Sequence, residues 1–188
     1  MKTIILASGS PRRQQLLQKI ISDFVIEPSH YKEDMTLNLP PFELAKKLSL
    51  GKAQDVASRH TNAIVIGADT FVVYHNQVLG KPHTATKAVE MLILLNGGQH
   101  LVITGYTIID TDTQQTISQS IETKVYFKNV TPQQIDAYVA TREPLEMAGA
   151  YALQQNGRFL LDHYEGDYDN ILGLPLTHLA QTLKQFNL

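Results

Sequence analysis

An apolar, β-branched run, Thr3–Ala7, breaks into Ser8-Gly9-Ser10-Pro11-Arg12-Arg13 and is followed by a stripe of Leu16, Leu17, Ile20 and Ile21. Such a run predicts a buried strand. Ser10 suits a helix N-cap, Pro11 suits the first helical position, and the stripe predicts a helix over Pro11–Ile21. A strand that turns into a helix within a few residues commits the chain to β-α units. Backbone N–H groups converge at that turn, as in many anion sites. The arginines beside it carry planar forks that match phosphate oxygens. The same stretch also reads as an ordinary capped helix with two solvated arginines.

The rest of the chain continues the alternation. Strands are predicted at Phe24–Glu27 and Ala63–Ala68, the second ending in Asp69-Thr70. A polar loop, Pro28–Pro40, leads through Pro40-Pro41 into a helix reaching about Arg59. Phe71–Tyr74 and Gln77–Leu79 flank His75-Asn76, a hairpin signal. Thr84 caps a helix striped with Ala88, Met91, Leu92 and Leu95, and Asn96-Gly97-Gly98 ends it. Long strands follow at Gln99–Ile109 and Thr116–Phe127, then a helix from Thr131-Pro132 to about Ala140. Gly149–Leu153, Arg158–Tyr164 and Asp167–Leu172 read as short strands and turns. A last helix starts at Pro175, with Leu176, Leu179, Ala180 and Leu183 on its apolar face. This order predicts an α/β fold with a mixed sheet, and 188 residues suffice for one large domain or two small lobes.

Composition removes several function classes. A formal net charge of −2 argues against a dedicated binder of polymeric nucleic acid. The chain has no cysteine, which excludes disulfides, thiolate catalysis and thiolate zinc sites. No apolar run approaches the roughly 20 residues that span a bilayer, and the N-terminus lacks the pattern of a signal peptide. A cytoplasmic location is expected. The histidines show no zinc-enzyme spacing, and Gly-x-Ser-x-Gly, Walker A and Gly-x-Gly-x-x-Gly are all absent.

Among polar residues, Asp69 stands at a strand end, where α/β folds commonly place ligands; Asp-Thr is also a common turn pair. Glu33 lies in the polar loop with Lys32 and Asp34, a stretch that also suits plain solvation. Lys52 is flanked by Gly51 and Ala53 on a helix, where a snorkelling lysine is equally at home. Lys81, between Gly80 and Pro82, can bring a point charge to a phosphate or simply sit in a turn. Gln154 follows Gly149-Ala150-Tyr151-Ala152-Leu153; its amide can pair with a base edge or end a strand in solvent.

Taken in order, Leu6-Ala7-Ser8-Gly9-Ser10-Pro11-Arg12-Arg13, Gly67-Ala68-Asp69-Thr70, Leu79-Gly80-Lys81-Pro82, Ala148-Gly149-Ala150-Tyr151 and Gly173-Leu174-Pro175-Leu176 resemble the Maf family of nucleoside triphosphate pyrophosphatases. The resemblance runs from Leu6 to about Leu183. It implies one Maf-like domain over residues 1–188, built as two α/β lobes around a central cleft, with a mixed twisted sheet similar to inosine triphosphate pyrophosphatases. It implies hydrolysis of a nucleoside triphosphate to monophosphate and pyrophosphate with a divalent cation, Mg²⁺ or Mn²⁺.

By the same resemblance, Asp69 matches the proton acceptor, and Glu33, Lys52 and Lys81 match the other polar positions of the catalytic cleft. Asp69 and Glu33 are the carboxylates for the metal. Ser8, Arg12 and Arg13 match the phosphate-proximal turn. Arg12, Thr70 and Gln154 match the positions that separate subgroups, and here they look like the dTTP/UTP-cleaving subgroup. Met147 departs from it, because many such members carry lysine there. A homodimer and a part in clearing modified nucleotides or in arresting cell division are compatible with the family. Two other readings stay open: a pyrophosphatase for 7-methyl-GTP or modified nucleotides, and a nucleotide-sensing regulator without turnover. The 7-methyl-GTP subgroup usually shows Ser-Asp-Gln where this chain has Ala68-Asp69-Thr70.

Overall fold

The computed structural model describes residues 2–187. Its elements are β1 (Thr3–Leu6), α1 (Pro11–Leu17), β2 (Val25–Ile26), α2 (Pro41–Ala57), β3 (Ala63–Tyr74), β4 (Gln77–Leu79), α3 (Ala85–Leu95), β5 (Gln99–Asp110), β6 (Thr116–Phe127), α4 (Pro132–Ala140), β7 (Leu161–Glu165), α5 (Tyr168–Leu172) and α6 (Leu176–Leu183). The strands form one seven-stranded sheet in the order β2-β1-β3-β5-β6-β7, with β4 added to β3. β1 pairs in parallel with β2 and β3, whereas β4 pairs antiparallel with β3 and β7 antiparallel with β6. The sheet is therefore mixed, as its sequence pattern predicts.

The chain divides into two compact units. The first comprises Met1–Thr70, Thr104–Ile121 and Asp169–Leu188, and the second Phe71–Ile103 and Glu122–Tyr168. In the first, α2 lies on the sheet, and Ala53 and Val56 bury against Ile5, Ala7, Val65 and Ile109. Burial of this kind supplies most of the helix's stability. The approach is close at Gly67 of β3, where a Cβ would stand 2.6 Å from the Ser49 carbonyl oxygen and 2.7 Å from the Ala53 nitrogen. In the second unit, Thr84 caps α3 by accepting from Lys87 N–H. Thr131 and Gln134 form a reciprocal capping box on α4. His75 and Asn76 both take positive φ, as a two-residue hairpin turn requires.

Several sequence expectations change. β3 is one strand of 12 residues, so Asp69 lies inside a strand and not after one. The polar pair Asp69-Thr70 marks a change of neighbour. β1 pairs with Ala63–Ile66 and β4 with Val72–Tyr74, leaving Gly67–Phe71 between the two registers. Gly149–Leu153 is not a strand: Ala148–Ala150 is a 3₁₀ turn with Gly149 at φ 66°. Asn156–Leu160 is a second 3₁₀ turn preceding β7, and Tyr168–Leu172 is helical. α1 stops at Leu17, short of the predicted Ile21. No helix among the described residues is long and apolar enough to cross a membrane.

Candidate active site

Three residues named from the sequence meet in the first unit. Lys52 Nζ donates to Asp69 Oδ1 at 2.5 Å and lies 2.7 Å from Glu33 Oε1. Asp69 is buried, its side chain 7% exposed, while the Glu33 side chain is 45% exposed. A buried carboxylate is tolerable only when paired, and Lys52 provides the pairing. Lys52 reaches Asp69 because α2 packs so closely on Gly67: Ser49 and Ala53, which touch that glycine, flank Lys52 in sequence.

Glu33 is delivered by an anchored loop. Asp55 Oδ2 on α2 accepts from Ser29 Oγ at 3.0 Å and from His30 N–H at 2.8 Å. Ser29 Oγ in turn accepts from Tyr31 N–H at 2.9 Å. The Tyr31 ring packs where a Cβ on Gly51 would stand. Glycine inside a helix costs about 1 kcal/mol relative to alanine, and here the missing side chain seats the loop. These supports escape a motif reading. The one available signal was Gly51 in mid-helix.

The second cluster surrounds Arg13. Its Nε donates to the Gly173 carbonyl at 2.9 Å, Nη1 to Ser8 Oγ at 3.3 Å, and Nη2 to Thr70 Oγ1 at 3.0 Å. Burial pushes this guanidinium below its ordinary pKa against the opposing pull of Asp69. Ser8 Oγ also accepts from Ser10 N–H at 3.3 Å, whereas Ser10 itself makes no side-chain cap. The predicted cap at Ser10 is thus corrected: Ser8 satisfies the backbone of this turn. Arg12 occupies the second position of α1, half-buried.

The remaining two sequence-named residues lie in the second unit. Lys81 is 53% exposed and lies 3.4 Å from Glu146 Oε2. Gln154 is exposed in a turn. The backbone around them is pinned. Gly149 N–H donates to the Gly80 carbonyl at 3.1 Å, joining the segment before Gln154 to the turn holding Lys81. Tyr151 hydroxyl and His100 Nε2 are 2.8 Å apart in the core, and Ala152 N–H donates to Tyr138 Oη at 3.0 Å. Burial holds His100 down to about 3 and raises the Tyr151 phenol.

A Mg²⁺ ion is commonly held by one or two carboxylates together with substrate phosphates and water. Asp69 and Glu33 meet that description, both turned to a single cationic point, the Lys52 ammonium. Among the described residues, no group of three or more His, Asp or Glu gathers around one point.

The chain matches the family described as Maf-like protein over residues 3–186. It is 47% identical over 186 residues to a dTTP/UTP pyrophosphatase of Methanosarcina mazei, covering 98% of this chain and 94% of that relative. It is 44% identical over 188 residues to a dTTP/UTP pyrophosphatase of Bacillus cereus, covering 100% and 92%. Among solved structures, the Ham1 protein of Staphylococcus aureus aligns with a TM-score of 0.55 at 14% identity, covering 98% of this chain and 99% of that one, a likeness of fold. With the ordered motifs, the mixed sheet and this full-length match in place, the chain belongs to the Maf-like protein family.

Proposed function

We propose that this protein hydrolyses UTP and dTTP to the nucleoside monophosphate and pyrophosphate, acting on free nucleotides in the cytoplasm. The observation that carries the reading is the buried Asp69 carboxylate held by Lys52 beside Glu33. Full-length relatives named dTTP/UTP pyrophosphatase support the choice of substrate.

In the reaction, a water oxygen attacks the α-phosphorus and the bond to the bridging oxygen of the β-phosphate breaks. Asp69 takes the water proton, and pyrophosphate leaves with the electron pair. General-base action of this kind is worth roughly 10²–10⁴-fold. Lys52 pairs with Asp69 and orients it. A triphosphate carries about four negative charges that must be offset. Arg12, Lys52 and Lys81 supply cationic donors that stabilise charge as it moves onto the leaving group. Asp69 and Glu33 would hold Mg²⁺ or Mn²⁺, which supplies further neutralisation of the phosphate oxygens when bound. Arg12, Thr70 and Gln154 govern the choice of base.

The test is product analysis across UTP, dTTP, CTP, GTP and 7-methyl-GTP with Mg²⁺ or Mn²⁺. Monophosphate and pyrophosphate from UTP and dTTP are expected. Diphosphate plus orthophosphate would overturn the bond assignment, and preference for 7-methyl-GTP the subgroup. Binding of UTP without turnover would return the chain to the regulator reading.

A further inference from the structure

Thr104, a fully buried threonine of β5 that no motif contains, stands behind Thr70. Its Oγ1 donates to the Asn170 carbonyl at 3.0 Å and lies 2.9 Å from Thr70 Oγ1, which accepts from Arg13 Nη2 at 3.0 Å. A guanidinium can only donate and a carbonyl can only accept. Thr70 therefore accepts from Arg13, and its own hydrogen goes either to Thr104, with Thr104 donating to the Asn170 carbonyl, or to the Gly173 carbonyl at 3.5 Å. Along the first path the relay runs Arg13 to Thr70 to Thr104 to the Asn170 backbone, and on either path the hydrogen of the Thr70 hydroxyl is used inside the protein.

We infer that Thr104 is a positioning residue for the reaction, fixing the Asp69-Thr70 step of β3 through the Thr70 hydroxyl. The inference rests on the function proposed above. On one edge of β3 the step lies between the stretch that β1 pairs and the stretch that β4 pairs, while β5 runs along the other edge. The relay ties it sideways to β5 and to the α5 turn, and Arg13 ties the same point to Ser8 and Gly173. Two consequences follow. Arg13 directs all three of its nitrogens to Gly173, Ser8 and Thr70, so it acts as part of the scaffold around the step. Thr70 influences the base through the position of its step and through a remaining lone pair, since its hydrogen is committed.

The experiment compares the wild-type protein with Thr104→Val, Thr104→Ser, Thr70→Val and the double variant Thr70→Val/Thr104→Val. Kinetics on UTP and thermal melts are read together. Valine keeps the shape and removes the hydroxyl; Thr104→Ala compared with Thr104→Ser serves if valine does not fold. Misplacement of a reacting group by about 1 Å can cost on the order of 10²-fold. Thr104→Val should lower kcat by roughly 10–100-fold, with KM within about threefold. Thr104→Ser should recover kcat to within about threefold, because it restores the relay. The double variant should melt well above the temperature that adding the two single losses gives, as coupled neighbours do. Wild-type kcat in Thr104→Val, or no recovery in Thr104→Ser, overturns the inference. Absence of wild-type turnover overturns the proposed function instead. The melts, which need no substrate, then decide the relay, with additive losses counting against it.

Discussion

The residues assigned to the site are held in two different ways. In the first unit, side chains hold side chains: Lys52 grips Asp69 and Glu33, and Arg13 grips Ser8 and Thr70. In the second, the backbone is pinned through Gly80, Gly149 and Tyr151, while the ends of Lys81 and Gln154 remain exposed. Preorganised groups act without reordering at the moment of reaction, whereas a free side chain is fixed at an entropy cost when ligand arrives. The first arrangement suits chemistry and the second suits capture and selection.

The sharpest way to break this contrast is Asp69→Asn. The amide keeps the shape and removes the base, so kcat should fall roughly 10²–10⁴-fold in a protein with an unchanged circular dichroism spectrum. Near-normal turnover would end the assignment of Asp69. Lys52→Met comes next, since it leaves a buried carboxylate alone. Stability should drop by roughly 3 kcal/mol in urea titration, and kcat by about 10²-fold. Loss of activity without loss of stability would show that the ammonium serves only substrate.

Lys81→Ala should behave in the opposite manner. Its exposed pair with Glu146 contributes little to stability, so the melting temperature should stay put while KM for UTP rises about tenfold. A destabilised variant would erase the difference between the two units. Gln154→Ala is expected to change preference more than rate, narrowing the kcat/KM ratio of UTP over CTP by several-fold. An unchanged ratio would return the selection of base to Arg12 or the backbone.

A separate effect, on stability alone, is one of pH. His100 is held neutral down to about 3 in the fold, while in the unfolded chain it takes a proton near 6.5. The stability this contributes is complete above pH 6.5 and is lost as pH falls toward 3. His100→Gln should flatten the urea midpoint across that window. An equal slope in both proteins would mean that other groups set it.

How much of this was legible in the sequence follows from the reach of each interaction. Turns and caps act over a few residues, so the His75-Asn76 hairpin, the Thr84 cap and the Thr131 start of α4 could be read directly. Buried strands announced themselves by β-branched runs. The Asp69-Thr70 step misled because two polar residues interrupt an apolar run, whereas the strand continues through them between β5 on one edge and the exchange of β1 for β4 on the other. The Gly149 segment misled because small residues suit a strand as well as a tight turn, and Gly149 takes a positive φ in a place where a Cβ would meet the Val72 side chain. The family resemblance pointed to Lys52, Asp69 and Glu33, which the fold brings together, but Asp55, Tyr31 and Thr104 act across tens of residues and belong to no motif. No local pattern could have announced them.

The anchoring of the Glu33 loop has a mechanical consequence. Asp55, Gly51 and Lys52 all ride on α2, so the loop and the ammonium it faces share one mount. If thermal motion slides that helix, Glu33 and Lys52 travel together and their separation is preserved. Asp69 is mounted on the sheet, and its distance to Lys52 takes up the whole displacement. The tolerance of the Asp69–Lys52 pair is therefore set at one joint, the seat of α2 on Gly67, where there is no room for a methyl group to act as a shim.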